Sequence, residues 1–165
     1  LGAGLDAIGA GLQSAHGVSG RLTRHVASGG WTLFDDSYNA NPASVMAGIA
    51  TLVLGGGEAW LALGDMKELG LHESRLHAEV GQFARAQGVT RMFTVGPLSA
   101  GAAEAVGAGA RAFADRDALA QALAGELHAG VRVLVKGSRS SGMERVVAHV
   151  LAAHAMQPRE SDHAA

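Results

Sequence analysis

Short, mostly apolar runs recur along this chain at residues 59–63, 91–95 and 131–135, with a weaker one at 111–114 and helix-length segments between them. Runs of this length, rich in Val, Leu, Met and Phe, fit strands buried on both faces. The intervening segments, about 42–54, 71–87, 99–106, 117–128 and 140–155, read as helices. Strands alternating with helices imply right-handed crossovers and a mostly parallel sheet. Two further strand candidates, 22–27 and 31–36, flank Ser28-Gly29-Gly30, a hairpin signal. The expected fold class is therefore α/β: a Rossmann-like three-layer sandwich with an antiparallel hairpin at its N-terminal side. Residues 5–13 read as a short helix interrupted by glycine, and 157–165 as a frayed tail.

Composition narrows the function classes. The 165 residues are 48% hydrophobic and 17% charged, enough for a real core and against disorder. The net charge of −2 argues against a basic footprint for nucleic acid. Cysteine is absent, which excludes thiol catalysis, disulfides and cysteine-based zinc sites. No apolar run approaches the roughly 20 residues needed to span a bilayer. The chain opens at Leu1 and reads as a piece of a longer protein, without the basic start of a signal peptide.

In an open α/β sheet, ligands sit at the carboxyl ends of the strands. The segments there are Asp35-Asp36-Ser37-Tyr38-Asn39-Ala40-Asn41-Pro42, Gly64-Asp65-Met66-Lys67-Glu68-Leu69-Gly70, Gly96-Pro97 and Lys136-Gly137-Ser138-Arg139-Ser140. Three of the four are dense in hydrogen-bonding groups. Only Lys67 and Lys136 are lysines among 13 basic residues, and both fall in these segments. A compact ammonium suits a carboxylate or phosphate. An Asp at a strand end can accept from both ribose hydroxyls, while Asp and Asn equally serve turns and helix caps. Ser138 can bind a ligand or cap a helix. Asp65 can hold magnesium or a substrate ammonium, or simply cap a turn. Tyr38 can stack or pack.

Other motifs are missing or misspaced. The G-x-x-x-x-G-K-[ST] phosphate loop occurs nowhere, and no G-x-G-x-x-G follows the first parallel strand. His72 and His77 are five apart, which denies them the shared helical face of an H-E-x-x-H zinc site. His77 is expected to pack or hydrogen-bond near its helix start, and His149 and His154 to lie on a helix surface.

Taken together, Gly20-Arg21, the Asp35-to-Pro42 string, Leu63-Gly64-Asp65-Met66-Lys67-Glu68-Leu69-Gly70, His77 with Gly81, and Val135-Lys136-Gly137-Ser138-Arg139-Ser140 with Met143-Glu144 resemble the C-terminal domain of the Mur ligases. The likeness runs from about residue 17 to 153. It implies a three-domain, ATP-dependent ligase that joins an amino acid or dipeptide to a UDP-muramoyl peptide through an acyl phosphate. The strings point to the branch that adds D-alanyl-D-alanine to UDP-N-acetylmuramoyl-tripeptide. Residues 1–16 would end the central ATPase domain or a linker, 17–156 would form the C-terminal domain, and 157–165 a flexible tail. Mg2+ and the catalytic groups would belong mainly to the missing central domain, so this piece alone would be inactive. By the same resemblance, Arg21 and Asp36 fix the ATP ribose, Asn39 and Asn41 face the reacting centre, and Lys67, Lys136 and Ser138 hold the carboxylate of the incoming substrate. The family implies a bacterial cytoplasmic enzyme, expected as a monomer. A folate-loading or cyanophycin-type ligase, and a non-catalytic nucleotide-binding or interaction domain, remain alternatives.

Overall fold

The computed structural model describes residues 20–155. The helix expected at 5–13 and the C-terminal tail lie outside them. A hairpin comes first: β1 (Thr23–Val26) pairs antiparallel with β2 (Thr32–Asp36). Then follow α1 (Pro42–Val53), β3 (Glu58–Gly64), α2 (Glu73–Ala86), β4 (Arg91–Val95), α3 (Ser99–Val106), β5 (Ala110–Phe113), α4 (Arg116–Glu126), β6 (Val131–Lys136) and α5 (Glu144–Ala155). The six strands form one sheet in the order β1-β2-β6-β3-β4-β5, parallel from β2 onward.

Side chains alternate between two cores, as a pleated strand requires. Trp60 and Ala62 of β3 and Val133 and Val135 of β6 face the layer of α4 and α5, where Leu119, Leu123, Val146 and Val150 pack. Leu61, Leu63 and Leu134 face α1, α2 and α3 through Val45, Ile49, Val80 and Ala102. The central strands are therefore apolar on both faces, which is why they read as continuous runs. This is the three-layer sandwich expected from the alternation. Among the described residues no helix is long and apolar enough to cross a membrane.

Two helix starts differ from expectation. A single 3-10 turn, Gly70–His72, precedes α2 in the segment read as one helix from 71. The last helix begins at Glu144 rather than 140, because Gly142 takes the left-handed conformation (φ 61°) and closes a separate 3-10 turn, Arg139–Ser141. His154 also departs from a surface reading. Its ring meets Trp31 edge-on at 4.7 Å and its Nε2 lies 3.2 Å from the Ala124 carbonyl, because the last turn of α5 runs back over the hairpin. His149 is exposed as expected.

Candidate functional site

Four loops leave the carboxyl ends of the parallel strands and meet at one edge. Asp36 and Lys136 end neighbouring strands in direct register, and Leu63 flanks Lys136 on the other side. The Lys136 ammonium donates to Asp36 Oδ2, and to the Asn39 carbonyl at 3.3 Å. Its side chain is 2% exposed, that of Asp36 23%. The second Asp36 oxygen accepts the Leu22 N–H at 3.2 Å, which ties the start of the hairpin to its end.

Asp65 organises the next loop. Its Oδ1 accepts the N–H groups of Leu98 and Ser99 at the start of α3, at 3.1 and 2.8 Å, and its Oδ2 accepts the Lys67 ammonium at 3.0 Å. Burial raises its pKa, but the Ser99 hydrogen bonds together with the bond and charge of Lys67 outweigh that and hold its carboxyl below the ordinary 3.8. Gly96 makes room for this carboxylate: it sits at φ 116°, and a Cβ there would lie 2.3 Å from Asp65 Oδ1. Asp65 thus anchors a helix N-terminus, where a carboxylate is favoured. Its backbone carbonyl accepts the Ser138 N–H and the Ser141 hydroxyl. The Ser138 hydroxyl in turn accepts the Lys67 N–H at 2.7 Å, so Ser138 joins two loops instead of capping a helix with its side chain.

Buried His77 props the same loop from below. Its Nδ1 donates to the Glu73 carbonyl at 2.7 Å and its Nε2 accepts the Met66 N–H at 2.9 Å, a pairing that needs the neutral ring protonated at Nδ1. Glu68, two residues on, adopts φ 64°, a left-handed conformation that costs a side-chain-bearing residue about 1 kcal/mol. Among the described residues, no three His, Asp or Glu side chains gather where a metal ion could be held.

Among the described residues, three clefts open on this edge: one of about 210 Å³ at Asp65, Lys67, Gly96 and Ser141, and two larger ones that share a wall. Of the larger two, the first, about 440 Å³, is lined by Arg21, Asp36, Tyr38, Asn39 and Lys136 among others. The second, about 550 Å³, is lined by Asn39, Asn41, Lys67, Leu69, Ser138 and Arg139. The loop of residues 39–41 walls both. All seven residues given a role by the family resemblance therefore line one of these two clefts or the other, whereas Asp65 does not. Their states differ from a set of free ligand-binding groups, however. Asn41 caps α1, accepting the Ser44 N–H at 2.8 Å, and Asn39 Oδ1 accepts the Ala40 N–H at 2.9 Å. Lys136, expected to face an incoming carboxylate with Ser138, lines the first cleft with its ammonium on Asp36, because the β2–β6 register brings those two side chains together, while Ser138 lines the second. Tyr38 stacks: the Arg21 and Arg139 guanidinia both lie over its ring. Sequence reasoning gave no role to Arg139, although it directly follows Ser138 in the Lys-Gly-Ser-Arg string.

Comparison with known proteins places the chain in a class. The family model described as "Mur ligase, glutamate ligase domain" matches residues 20–139, and the chain belongs to the Mur ligase family. It is 42% identical over 150 residues to the UDP-N-acetylmuramoyl-tripeptide–D-alanyl-D-alanine ligase of Escherichia coli (strain K12), covering 89% of this chain and 33% of that protein. Among solved structures it resembles MurF from Acinetobacter baumannii, with TM-score 0.82 and 27% identity over 91% of this chain and 34% of that one. It also resembles MurF ligase from Thermotoga maritima in complex with ADP, with TM-score 0.73 and 26% identity over 86% and 33%. The chain thus spans about a third of the length of these relatives.

Proposed function

We propose that this chain is the C-terminal domain of an ATP-dependent ligase that adds D-alanyl-D-alanine to UDP-N-acetylmuramoyl-tripeptide. Residues 17–156 form that domain, 1–16 end the central ATPase domain or a linker, and 157–165 form a tail. ATP phosphorylates the tripeptide carboxylate, the dipeptide amine attacks the acyl phosphate, and ADP and phosphate leave. The observation that carries this reading is a pair of clefts sharing one wall, the first offering a carboxylate and the second an ammonium. A nucleoside needs acceptors for its ribose hydroxyls, and Asp36, with Arg21 beside it, supplies them. A dipeptide needs a cation for its free carboxylate, and Lys67 supplies it together with Ser138. The shared wall at Asn39 and Asn41 brings the two substrates together. Lys136 serves the first cleft as the fixed counter-charge of Asp36. The ADP complex of the Thermotoga maritima relative and the name of the Escherichia coli one support this assignment. Mg2+ and the phosphate loop belong to the remainder of the ligase, so the chain alone is inactive.

The test joins the first two-thirds of the Escherichia coli relative to this chain and measures phosphate release from ATP. The hybrid is expected to release phosphate only when both UDP-N-acetylmuramoyl-tripeptide and D-alanyl-D-alanine are present, and the chain alone to release none. A folded hybrid that binds ATP but is indifferent to the dipeptide overturns the reading.

A further inference from the structure

Tyr38 lines the first cleft, next to the wall of residues 39–41 that both clefts share, with 39% of its surface exposed. The guanidinium carbon of Arg21 lies 4.5 Å from its ring centroid and that of Arg139 lies 5.5 Å away. Arg21 lines the first cleft and Arg139 the second. Two like charges gathered on one ring repel each other, and the ring's negative face offsets only part of that. Among the described residues neither arginine has a carboxylate within ion-pair distance. The strand-end acids already have partners: Asp36 is held by Lys136, Asp35 by Ser37, and Asp65 by Lys67 and the α3 N-terminus. Both arginines are exposed, and among the described residues neither guanidinium fork is engaged by a protein acceptor, so both are free to take a ligand. A guanidinium fork matches the oxygens of a phosphoryl group or a carboxylate two at a time.

We propose that Arg21 and Arg139 form a clamp for a multiply charged phosphoryl anion at the boundary of the clefts, with Tyr38 as the residue that positions both guanidinia. One singly charged carboxylate leaves half of a paired cationic site unmet; a diphosphate does not. The proposal deepens the function given above and rests on it only for the source of the anion, the phosphate chain of a nucleotide whose ribose is at Asp36. The clamp would direct that chain toward the second cleft, where the amine has to meet the activated carboxyl.

Calorimetric titration of the 165-residue chain with inorganic pyrophosphate, acetate and ADP, repeated on Tyr38→Phe, Tyr38→Leu and Arg139→Gln, tests this, with the urea midpoint as a check on folding. Pyrophosphate is expected to bind the parent chain, and Tyr38→Phe to keep its affinity within about twofold because the ring remains. Tyr38→Leu and Arg139→Gln are expected to weaken it about five- to tenfold at an unchanged urea midpoint. Rescue by Phe but not Leu separates positioning by the ring from simple bulk. Equal pyrophosphate affinity in all four proteins, or none in the parent, overturns the clamp. Acetate binding as tightly as pyrophosphate overturns the phosphoryl assignment in favour of the substrate carboxylate. ADP distinguishes this failure from that of the nucleotide reading. If ADP binds no tighter than pyrophosphate, the ribose assignment to Asp36 falls and the clamp stands; if ADP binds tightly and Tyr38→Leu leaves that unchanged, the clamp falls and the ribose assignment stands.

Discussion

Two aspartate–lysine pairs stand side by side at the same edge of the sheet, built as opposites. In the Asp36–Lys136 pair the lysine is the buried partner, with 2% of its side chain exposed against 23% for the aspartate. In the Asp65–Lys67 pair the aspartate is buried at 5% and the lysine is 45% exposed. What each pair can show a ligand follows from which partner faces solvent. The first presents a carboxylate whose charge is already balanced from beneath, suited to hydroxyl donors. The second presents an ammonium whose partner is committed to a helix N-terminus, suited to an anion. One arrangement of two residue types thus exposes opposite charges in two neighbouring clefts.

The sharpest way to break the comparison is to remove one member of the first pair. Asp36→Asn leaves Lys136 charged and buried without a counter-ion, which is expected to cost about 3–5 kcal/mol. Lys136→Met is expected to cost less, about 1–3 kcal/mol, because Asp36 is exposed enough to recover water. The double variant should be more stable than Asp36→Asn alone, since no lone buried charge remains. Urea unfolding of the four proteins closes the cycle, and simple additivity would show that the two side chains do not act as a pair.

The second pair is expected to respond to removal of its buried member by a smaller amount. Asp65→Asn gives up charge-assisted bonds to the α3 N-terminus and to Lys67, and is expected to cost about 1.5–3 kcal/mol. This loss depends on pH. The folded pKa of Asp65 is lowered from 3.8, so its contribution is complete above that value and is lost as the pH falls through the lowered one. Urea midpoints measured from neutral pH down into the acid range should therefore fall less steeply for Asp65→Asn than for the parent. Parallel acid limbs would mean that Asp65 is no more strongly held as an anion in the folded state than in the unfolded one.

Much of this architecture is legible in the sequence, and the reason is burial. Parallel strands covered on both faces must be apolar throughout, so β4 appears at residues 91–95 both in the sequence and in the structure. The gathering of the polar strand-end segments at one edge is legible for the same topological reason. The opposite roles of the two lysines are not legible. They depend on β2 lying beside β6, which puts Lys136 against Asp36 across 100 residues of sequence. Lys67 lies two residues from Asp65, but nothing local says that Asp65 is the one to be buried; that follows from α3 docking its N-terminus on the carboxylate. The left-handed Gly142 likewise splits the last helix from its 3-10 turn in a stretch whose composition reads as continuous helix.

The smallest effect on stability, and the most telling for function, is expected at Lys67. Lys67→Ala removes an ion pair whose lysine is nearly half exposed, so solvent screens most of the attraction and the stability change should stay below about 1 kcal/mol. Its backbone N–H still donates to Ser138, so the loop keeps its tie to the Lys-Gly-Ser-Arg turn. In the hybrid ligase the same change removes the exposed ammonium from the second cleft. A charge-assisted contact of about 1.5–3 kcal/mol corresponds to a rise of roughly ten- to a hundredfold in the KM for D-alanyl-D-alanine. The KM for ATP should hold within about twofold, because the first cleft retains Asp36, Arg21 and Lys136. A rise in both constants together would mean that Lys67 supports the common wall at residues 39–41 instead of one cleft. A dipeptide KM that does not move would show that Lys67 is not the cation the dipeptide uses and remove the asymmetry between the two pairs as an account of which substrate goes where.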